Sequence, residues 1–271
     1  MPNDELNAIV SEPIFITSET MILRVRADGW ELPEFVPGQF AVLGLPGKAA
    51  RTSISDLETE APERDKIIRR AYSITSSSKQ KEYLEFYISL VRSGALTPRL
   101  FALKEGDRVL LNPNVRGLFT LDQIPDSANV VLIGTGTGVA PYISMIRTSL
   151  SANRTRKFTV IQGARHSWDL GFRSELSTQA KLRKNFFYLP TISRPSEETI
   201  PWGGETGYVQ DIWKRGLVEG EWGFKPTPEN THIFLCGHPN MITSTLELVE
   251  KSGFIEDSRK QKGMVHLERY W

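Results

Sequence analysis

The sequence predicts two folds in succession: an antiparallel β-barrel over residues 1–122, then a parallel-sheet α/β nucleotide-binding domain over residues 128–271. Three observations predict it. The first part of the chain holds many short strand-like runs separated by Gly and Pro, which is the pattern of an antiparallel barrel. Near Asp122–Asn129 the pattern changes, with Pro125-Asp126-Ser127 reading as a linker. Beyond it, apolar strands alternate with helical stretches, which calls for a parallel sheet with helices on both faces.

The elements follow in order. Ile14 to Val25 is rich in Thr and β-branched residues, and Gln39 to Leu45 is a short apolar strand after the turn Pro37-Gly38. Pro46 to Ile68 is a polar loop, long for a compact domain. Glu82 to Val91 alternates, with Leu84, Phe86, Ile88 and Leu90 on one face and Tyr83, Glu85, Tyr87 and Ser89 on the other. A helix is expected to start at Thr97 as cap, with Pro98 at its first position. Arg108 to Leu111 and Leu118 to Leu121 are two further expected strands. In the second part, Val130 to Ile133, Phe158 to Gln162, Phe186 to Ile192 and His232 to Cys236 read as strands. Helices are expected after the glycines at 134–138, around Ser174 to Arg183 and over Met241 to Lys251.

Composition narrows the function. Of 271 residues, 39% are hydrophobic, enough for real cores. Thirty-three basic residues against 32 acidic ones give a net charge of +1, which argues against nucleic acid as the main partner. The single cysteine, Cys236, excludes an internal disulfide and a cysteine-ligated iron–sulfur cluster or structural zinc site. His166, His232 and His266 lack metal-ligand spacing, so no metal is expected. Met1 to Val10 has no apolar signal core and no run approaches ~20 apolar residues. A monomer in the cytoplasm is the expectation.

Two motifs carry the chemistry. Arg70-Ala71-Tyr72-Ser73 offers a cation, an aromatic face and a hydroxyl. On a strand, Arg70 and Tyr72 share one side and Ser73 takes the other, so a phosphate, a flat ring and a ring-edge hydrogen bond are within reach. Gly134-Thr135-Gly136-Thr137-Gly138-Val139-Ala140-Pro141 is a glycine-rich turn after an apolar strand, where backbone N–H groups meet an anion. Two anionic cofactors are the simplest reading. Ser93-Gly94-Ala95-Leu96-Thr97-Pro98, a small-residue turn into a helix, supplies a second anion site in the first domain, which suits the diphosphate of FAD. In the second domain no acidic residue holds the expected ribose position, and Arg165 and Arg194 follow strand ends. Arginine there favours a 2′-phosphate, hence NADP(H) over NAD(H). Cys236-Gly237-His238-Pro239-Asn240-Met241 follows a strand and places a cysteine where ligands bind in parallel sheets. The chain ends Glu268-Arg269-Tyr270-Trp271, with two aromatics suited to docking on something flat.

In their order and spacing these strings resemble the ferredoxin–NADP(+) reductase family, most of all its bacterial members. The shared patterns are R-x-Y-S at Arg70–Ser73, a G-x-[LI]-[ST] turn at Gly94–Thr97 with one residue inserted, and G-T-G-T-[GA]-x-x-P at Gly134–Pro141. C-G-x-P-x-M follows at Cys236–Met241 and E-x-Y at Glu268–Tyr270. The resemblance implies a Greek-key FAD barrel ahead of the nucleotide-binding domain. It implies that Tyr72 stacks on the isoalloxazine, that Ser73 lies near flavin N5, and that Arg70 with Gly94, Ala95, Leu96 and Thr97 takes the pyrophosphate. Tyr87, Ile88 and Ser89 would line the flavin or its ribityl side, with Ala71 beside them on the motif strand. Thr137 and Gly237 would meet the nicotinamide nucleotide, Cys236 and Glu268 would flank the hydride path, Tyr270 would cover the other flavin face, and Trp271 would pack against the cofactor. The implied activity is electron transfer between NADPH and ferredoxin or flavodoxin. Alternatives of the same or another class are a flavin reductase, a reductase component of an oxygenase, and a catalytically silent flavin-binding subunit. Where the family carries a further basic residue after the Arg194 strand, this chain has Gly207-Tyr208.

Overall fold

The computed structural model describes residues 6–60, 62–150 and 155–269, and the chain divides into two units. The first comprises Met1–Thr120 with Ile143–Thr148, the second Leu121–Tyr142 with Ser149–Trp271.

In the first unit six strands form an antiparallel sheet in the order β4-β3-β6-β1-β2-β5. They are β1 (Ala8–Thr17), β2 (Thr20–Ala27), β3 (Phe40–Pro46), β4 (Ile67–Ser73), β5 (Leu84–Ser89) and β6 (Arg108–Leu111). Ile74, just past β4, bridges to Phe86 of β5, so the two outer strands meet and the sheet closes. The strand-rich stretch Ile14–Val25 resolves into a hairpin. Its turn at Ser18-Glu19 is held by a 2.9 Å contact between the Thr17 and Thr20 hydroxyls. Leu23, Leu43, Leu84, Phe86 and Leu111 lie in the barrel core. Alternation in β5 does not give a solvent face: Glu85 and Tyr87 are buried like Leu84 and Phe86.

Two sequence expectations fail here. Leu118–Leu121 is not a strand. Pairing ends at the Arg116–Phe40 bridge, Gly117 turns the chain at φ +125°, Leu118 is 79% exposed, and a 3₁₀ turn follows at Leu121–Gln123. Helix α1 (Thr97–Leu100) begins at the expected place, but Thr97 is not its cap. Its hydroxyl is bound to the Val91 backbone instead, accepting from the N–H at 3.0 Å and donating to the carbonyl at 3.2 Å.

The second unit is a parallel sheet in the order β10-β9-β8-β7-β11-β12. Its strands are β7 (Asn129–Thr135), β8 (Phe158–Ala164), β9 (Phe186–Ile192), β10 (Glu205–Thr206), β11 (Thr231–Cys236) and β12 (Val265–Glu268). Successive strands run outward from β7 to β10, then the order reverses to β11 and β12. The switch point therefore lies between β7 and β11, where parallel sheets bind ligands at their carboxyl ends. Central strands are apolar and buried, as in Val131, Ile133, Ile161, Ile233 and Leu235, because helices cover such sheets on both faces. The helices are α2 (Ala140–Ser149), α3 (Arg173–Leu182), α4 (Val209–Lys214), α5 (Leu217–Trp222) and α6 (Pro239–Glu250). Among the described residues no helix is long and apolar enough to cross a membrane.

Candidate functional site

In the first unit Arg70, Ala71, Tyr72 and Ser73 end β4, paired with Leu43, Val42, Ala41 and Phe40 of β3. Arg70 is exposed, and among the described residues its guanidinium donates only to the adjacent Arg69 carbonyl, at 2.7 Å. Tyr72, on the same side of the strand, packs its ring partly against the barrel core. Burial, opposed by Arg70, raises its phenol well above the ordinary range, so it stays neutral. Ser73, on the opposite side, is buried. Tyr87, Ile88 and Ser89 close β5, opposite Ile22, Met21 and Thr20 of β2.

The Gly94–Thr97 turn is held from behind. The Gly94 carbonyl accepts from Arg51 Nη1 at 3.0 Å and the Ala95 carbonyl from Arg99 Nη1 at 2.6 Å. In a trans peptide the next N–H points opposite to the carbonyl. The N–H groups of Ala95 and Leu96 therefore point away from the two arginines, and neither donates to a described residue. Both arginines converge on Glu58: Arg99 in a two-point pair at 2.7 and 3.0 Å, Arg51 at 2.9 Å. The Arg99 hydrogen bond, against the effect of burial and helped by Arg51, holds the Glu58 carboxyl below the usual range. Glu58 lies in the long Pro46–Ile68 loop, which is further fixed by Thr52 N–H to the Pro98 carbonyl (2.9 Å) and Asp56 N–H to the Arg92 carbonyl (3.1 Å). A second buried cluster centres on Glu85, which accepts from Arg147 (2.6 Å), Arg24 (2.8 Å) and Thr75 (3.0 Å).

In the second unit the glycine string forms the end of β7, a 3₁₀ turn at Gly136–Val139 and the start of α2. A Cβ at Gly138 would collide with the Cys236 carbonyl, and one at Gly237 with the Thr135 hydroxyl. The two turns flanking the switch point thus approach closely only because both positions are glycine. Gly237 also adopts φ +142°, and Thr135 Oγ1 accepts from the His238 N–H at 3.1 Å. The buried Tyr142 hydroxyl lies 2.9 Å from both the Ile133 and Phe234 carbonyls, tying β7 to β11. Thr137 sits in the turn itself. Cys236 is in register with Gly134 on one side and Glu268 on the other, with Cys236 Sγ 4.0 Å from Glu268 Oε2. The structure thus brings Thr137, Cys236, Gly237 and Glu268 to one end of the sheet. Tyr270 and Trp271 lie outside the described residues.

Arg165 and Arg194 follow β8 and β9 as expected and are joined through the backbone, Arg194 N–H to the Arg165 carbonyl at 2.9 Å. Their neighbourhood is more acidic than the sequence reading allows. Glu197 contacts Arg194 at 3.5 Å and His166 at 2.8 Å, and Asp169 holds the other His166 nitrogen at 3.0 Å. The Glu197 hydrogen bond, opposed by burial and helped by Asp169, raises the His166 imidazole above its ordinary range. Tyr208 is exposed and starts α4, its N–H held by the Asp211 carboxylate at 2.9 Å. Sequence reasoning missed Glu58, Arg51, Arg99, Glu85 and Glu197. Only Glu85 left a trace, as a carboxylate between the apolar Leu84 and Phe86. Among the described residues no group of three or more His, Cys, Asp or Glu is placed to hold a metal.

A closed antiparallel barrel followed by a parallel sheet with a glycine turn at its switch point defines a two-domain flavin and nicotinamide oxidoreductase. Family models agree: an oxidoreductase FAD-binding domain matches residues 8–115 and an oxidoreductase NAD-binding domain residues 132–247. The chain is 31% identical to a flavodoxin/ferredoxin–NADP reductase of Shigella flexneri over 78% of its length and 77% of that protein's. It is 34% identical to ferredoxin–NADP reductase B of Sorangium cellulosum, covering 75% and 78%. A crystal structure of a ferredoxin NADP+ reductase from Neisseria gonorrhoeae with bound FAD and NADP shares the fold at TM-score 0.80, with 21% identity and 98% of each chain covered. The chain belongs to the bacterial ferredoxin/flavodoxin–NADP reductase family.

Proposed function

We propose that the protein transfers electrons between NADPH and a one-electron carrier, ferredoxin or flavodoxin, as an FAD-dependent reductase acting as a cytoplasmic monomer. The observation that carries this is the placement of Cys236 and Glu268, side by side at the carboxyl ends of β11 and β12 and next to the Gly134–Val139 turn. FAD, when bound, supplies acceptance of a hydride and release of single electrons.

The residues of the chain bind, orient and exclude. In the first unit the Ala95 and Leu96 N–H groups and the exposed Arg70 guanidinium fit a diphosphate, so these residues with Gly94 and Thr97 would hold the FAD pyrophosphate. Tyr72, with Ala71 beside it, offers the ring face, Ser73 a hydroxyl for the ring edge, and Tyr87, Ile88 and Ser89 the wall of the ribityl side. In the second unit Thr137 and Gly237 lie at the carboxyl end of the sheet where the nicotinamide nucleotide would rest, Arg165 and Arg194 take the 2′-phosphate, and Cys236 orients the nicotinamide without forming a bond to it. Glu268 can hold or pass a proton at its carboxylate. Tyr270 and Trp271 complete the cofactor cover in this reading.

Anaerobic titration of the purified yellow protein with NADPH tests the proposal. The flavin absorbance should bleach with about two electrons per FAD, and added ferredoxin or flavodoxin should restore it. Bleaching that neither carrier reverses would point to a flavin reductase. A protein that binds FAD but does not respond to NADPH would be a silent subunit.

A further inference from the structure

The turns after β8 and β9 carry a set of phosphate-type donors that the chain's own carboxylates already engage. His166 Nε2 lies 2.8 Å from Glu197 Oε2, and Arg194 Nη1 lies 3.5 Å from Glu197 Oε1, so one carboxylate spans both strand ends. The adjacent Glu198 accepts from the Ser167 N–H and the Ser167 hydroxyl, each at 2.7 Å. A guanidinium, an imidazolium, a backbone N–H and a hydroxyl are the donors that bind a phosphate monoester. The His166 ring is fixed in this role: Asp169 holds its Nδ1 at 3.0 Å, and Trp168 stacks on it at 4.4 Å with an interplanar angle of 9°. Arg165, exposed at the end of β8, stands outside the set.

We infer that Glu197 is a coenzyme-specificity residue. Its carboxylate takes the place of a 2′-phosphate and holds the preference for NADPH over NADH below what Arg165 and Arg194 would give by themselves. The inference rests on the reading of those arginines as the 2′-phosphate site. A dianionic phosphate arriving there must displace Glu197 or sit beside it, and either opposes binding. A free ribose 2′-hydroxyl meets no such opposition, because it can donate to a carboxylate. Glu198 acts in the same sense from the neighbouring donors. Asp169, Glu197 and Glu198 thus already occupy the His166, Arg194 and Ser167 donors that a phosphate would need.

Calorimetric titration with 2′-phospho-AMP and with AMP reads this without turnover. Wild type, Glu197→Gln, Glu197→Asp and the Arg165→Ala/Arg194→Ala double variant are compared. Glu197→Gln should bind 2′-phospho-AMP about tenfold tighter than wild type, with AMP affinity unchanged. Glu197→Asp, which keeps the charge, should stay near wild type. The ratio of kcat/KM for NADPH to that for NADH should rise in Glu197→Gln by the same factor. Suppose Glu197→Gln binds 2′-phospho-AMP no tighter, while the arginine double variant loses discrimination: the role of Glu197 is then overturned and the arginine reading stands. If neither wild type nor Glu197→Gln distinguishes 2′-phospho-AMP from AMP, the arginine reading fails, and this inference fails with it.

Discussion

The turn at Gly94–Thr97 and the turn after Arg194 both pair arginine with glutamate beside a proposed anion site, yet the two clusters differ in kind. Behind Gly94, Arg99 is 2% exposed and Glu58 grips it at two points. Its arginines hold carbonyls, which turns the Ala95 and Leu96 N–H groups to the other side. After Arg194, Glu197 is half exposed and touches its arginine once, at 3.5 Å. Exposed pairs of this sort contribute little and exchange readily. The lesson is that an arginine next to a phosphate turn is not thereby a phosphate ligand. Burial and two-point pairing make it a scaffold, whereas exposure and a single long contact leave it available.

The largest effect is expected at Glu85, the most buried carboxylate among the described residues. Glu85 is fully buried and answers both Arg147 and Arg24. Burial works to raise its carboxyl, but Arg147, Arg24 and Thr75 outweigh it and hold it below the usual range. Glu85→Ala strands two guanidinium groups, so urea unfolding should show a loss of about 3–5 kcal/mol. Glu197→Ala, at the exposed cluster, should leave the unfolding midpoint in place. Equal shifts for the two variants would erase the distinction between scaffold and available pair.

Acid should separate the units by the same logic. In the second unit His232 Nδ1 lies 3.0 Å from His266 Nε2, and His266 stacks on Phe234 at 4.4 Å. Burial, then the neighbouring His232, push the buried His266 down from its ordinary 6.5 to about 4, against the pull of Asp257. Folded His266 binds fewer protons than unfolded His266, so its contribution is present above pH 6.5 and declines as pH falls toward 4, by up to about 3 kcal/mol. The carboxyls of Glu85 and Glu58, held below their ordinary 4.5, lose their contribution only below that value. His166, raised by Glu197, has the opposite sign, but its partner Glu197 is half exposed and the pair counts for little. Hydrogen exchange at pH 7.5 and pH 5, corrected for intrinsic rates, should therefore show β11 and β12 loosening while β5 holds. Parallel loosening of both would contradict it.

How much of this was legible in the sequence depends on the range of the interaction. Period and punctuation revealed the order of strands and helices, and both glycine strings sit where a strand must turn close to another backbone, as Gly138 does at Cys236. Cys236 and Glu268, 32 residues apart, were placed together only through the family resemblance, since parallel pairing across a crossover leaves no local pattern. The hairpin turn at Ser18-Glu19 was hidden because neither residue is Gly, Asn or Pro. The Thr97 cap was misread because its hydroxyl found a non-local partner, Val91, ahead of the helix N–H groups. The Glu58 contacts were illegible for a simpler reason. Glu58 and Arg99 are 41 positions apart, and an acid in a polar loop looks the same whether solvated or clamped.

That clamp gives the last and smallest effect. If the Pro46–Ile68 loop only covers surface, removing Glu58 should cost a little stability and nothing else. If it orients the turn, the loss should reach the cofactor, because Glu58 pairs with the same Nη1 groups of Arg51 and Arg99 that hold the Gly94 and Ala95 carbonyls. Arg99 would keep the Gly47 carbonyl, at 2.6 Å, and swing toward it. Losing a charge-assisted hydrogen bond is worth ~1.5–3 kcal/mol, so FAD affinity in Glu58→Ala should fall by roughly tenfold or more. Glu58→Gln, which keeps an acceptor but not the charge, should fall in between. Release of FAD from the holoprotein, followed by fluorescence at fixed temperature and set against urea stability, separates the two roles. A variant that unfolds earlier yet releases FAD at the wild-type rate would reduce the loop to a brace. One that releases FAD faster at unchanged stability would make Glu58 a positioning residue for the pyrophosphate turn, and the buried cluster would then serve the ligand as directly as the exposed one.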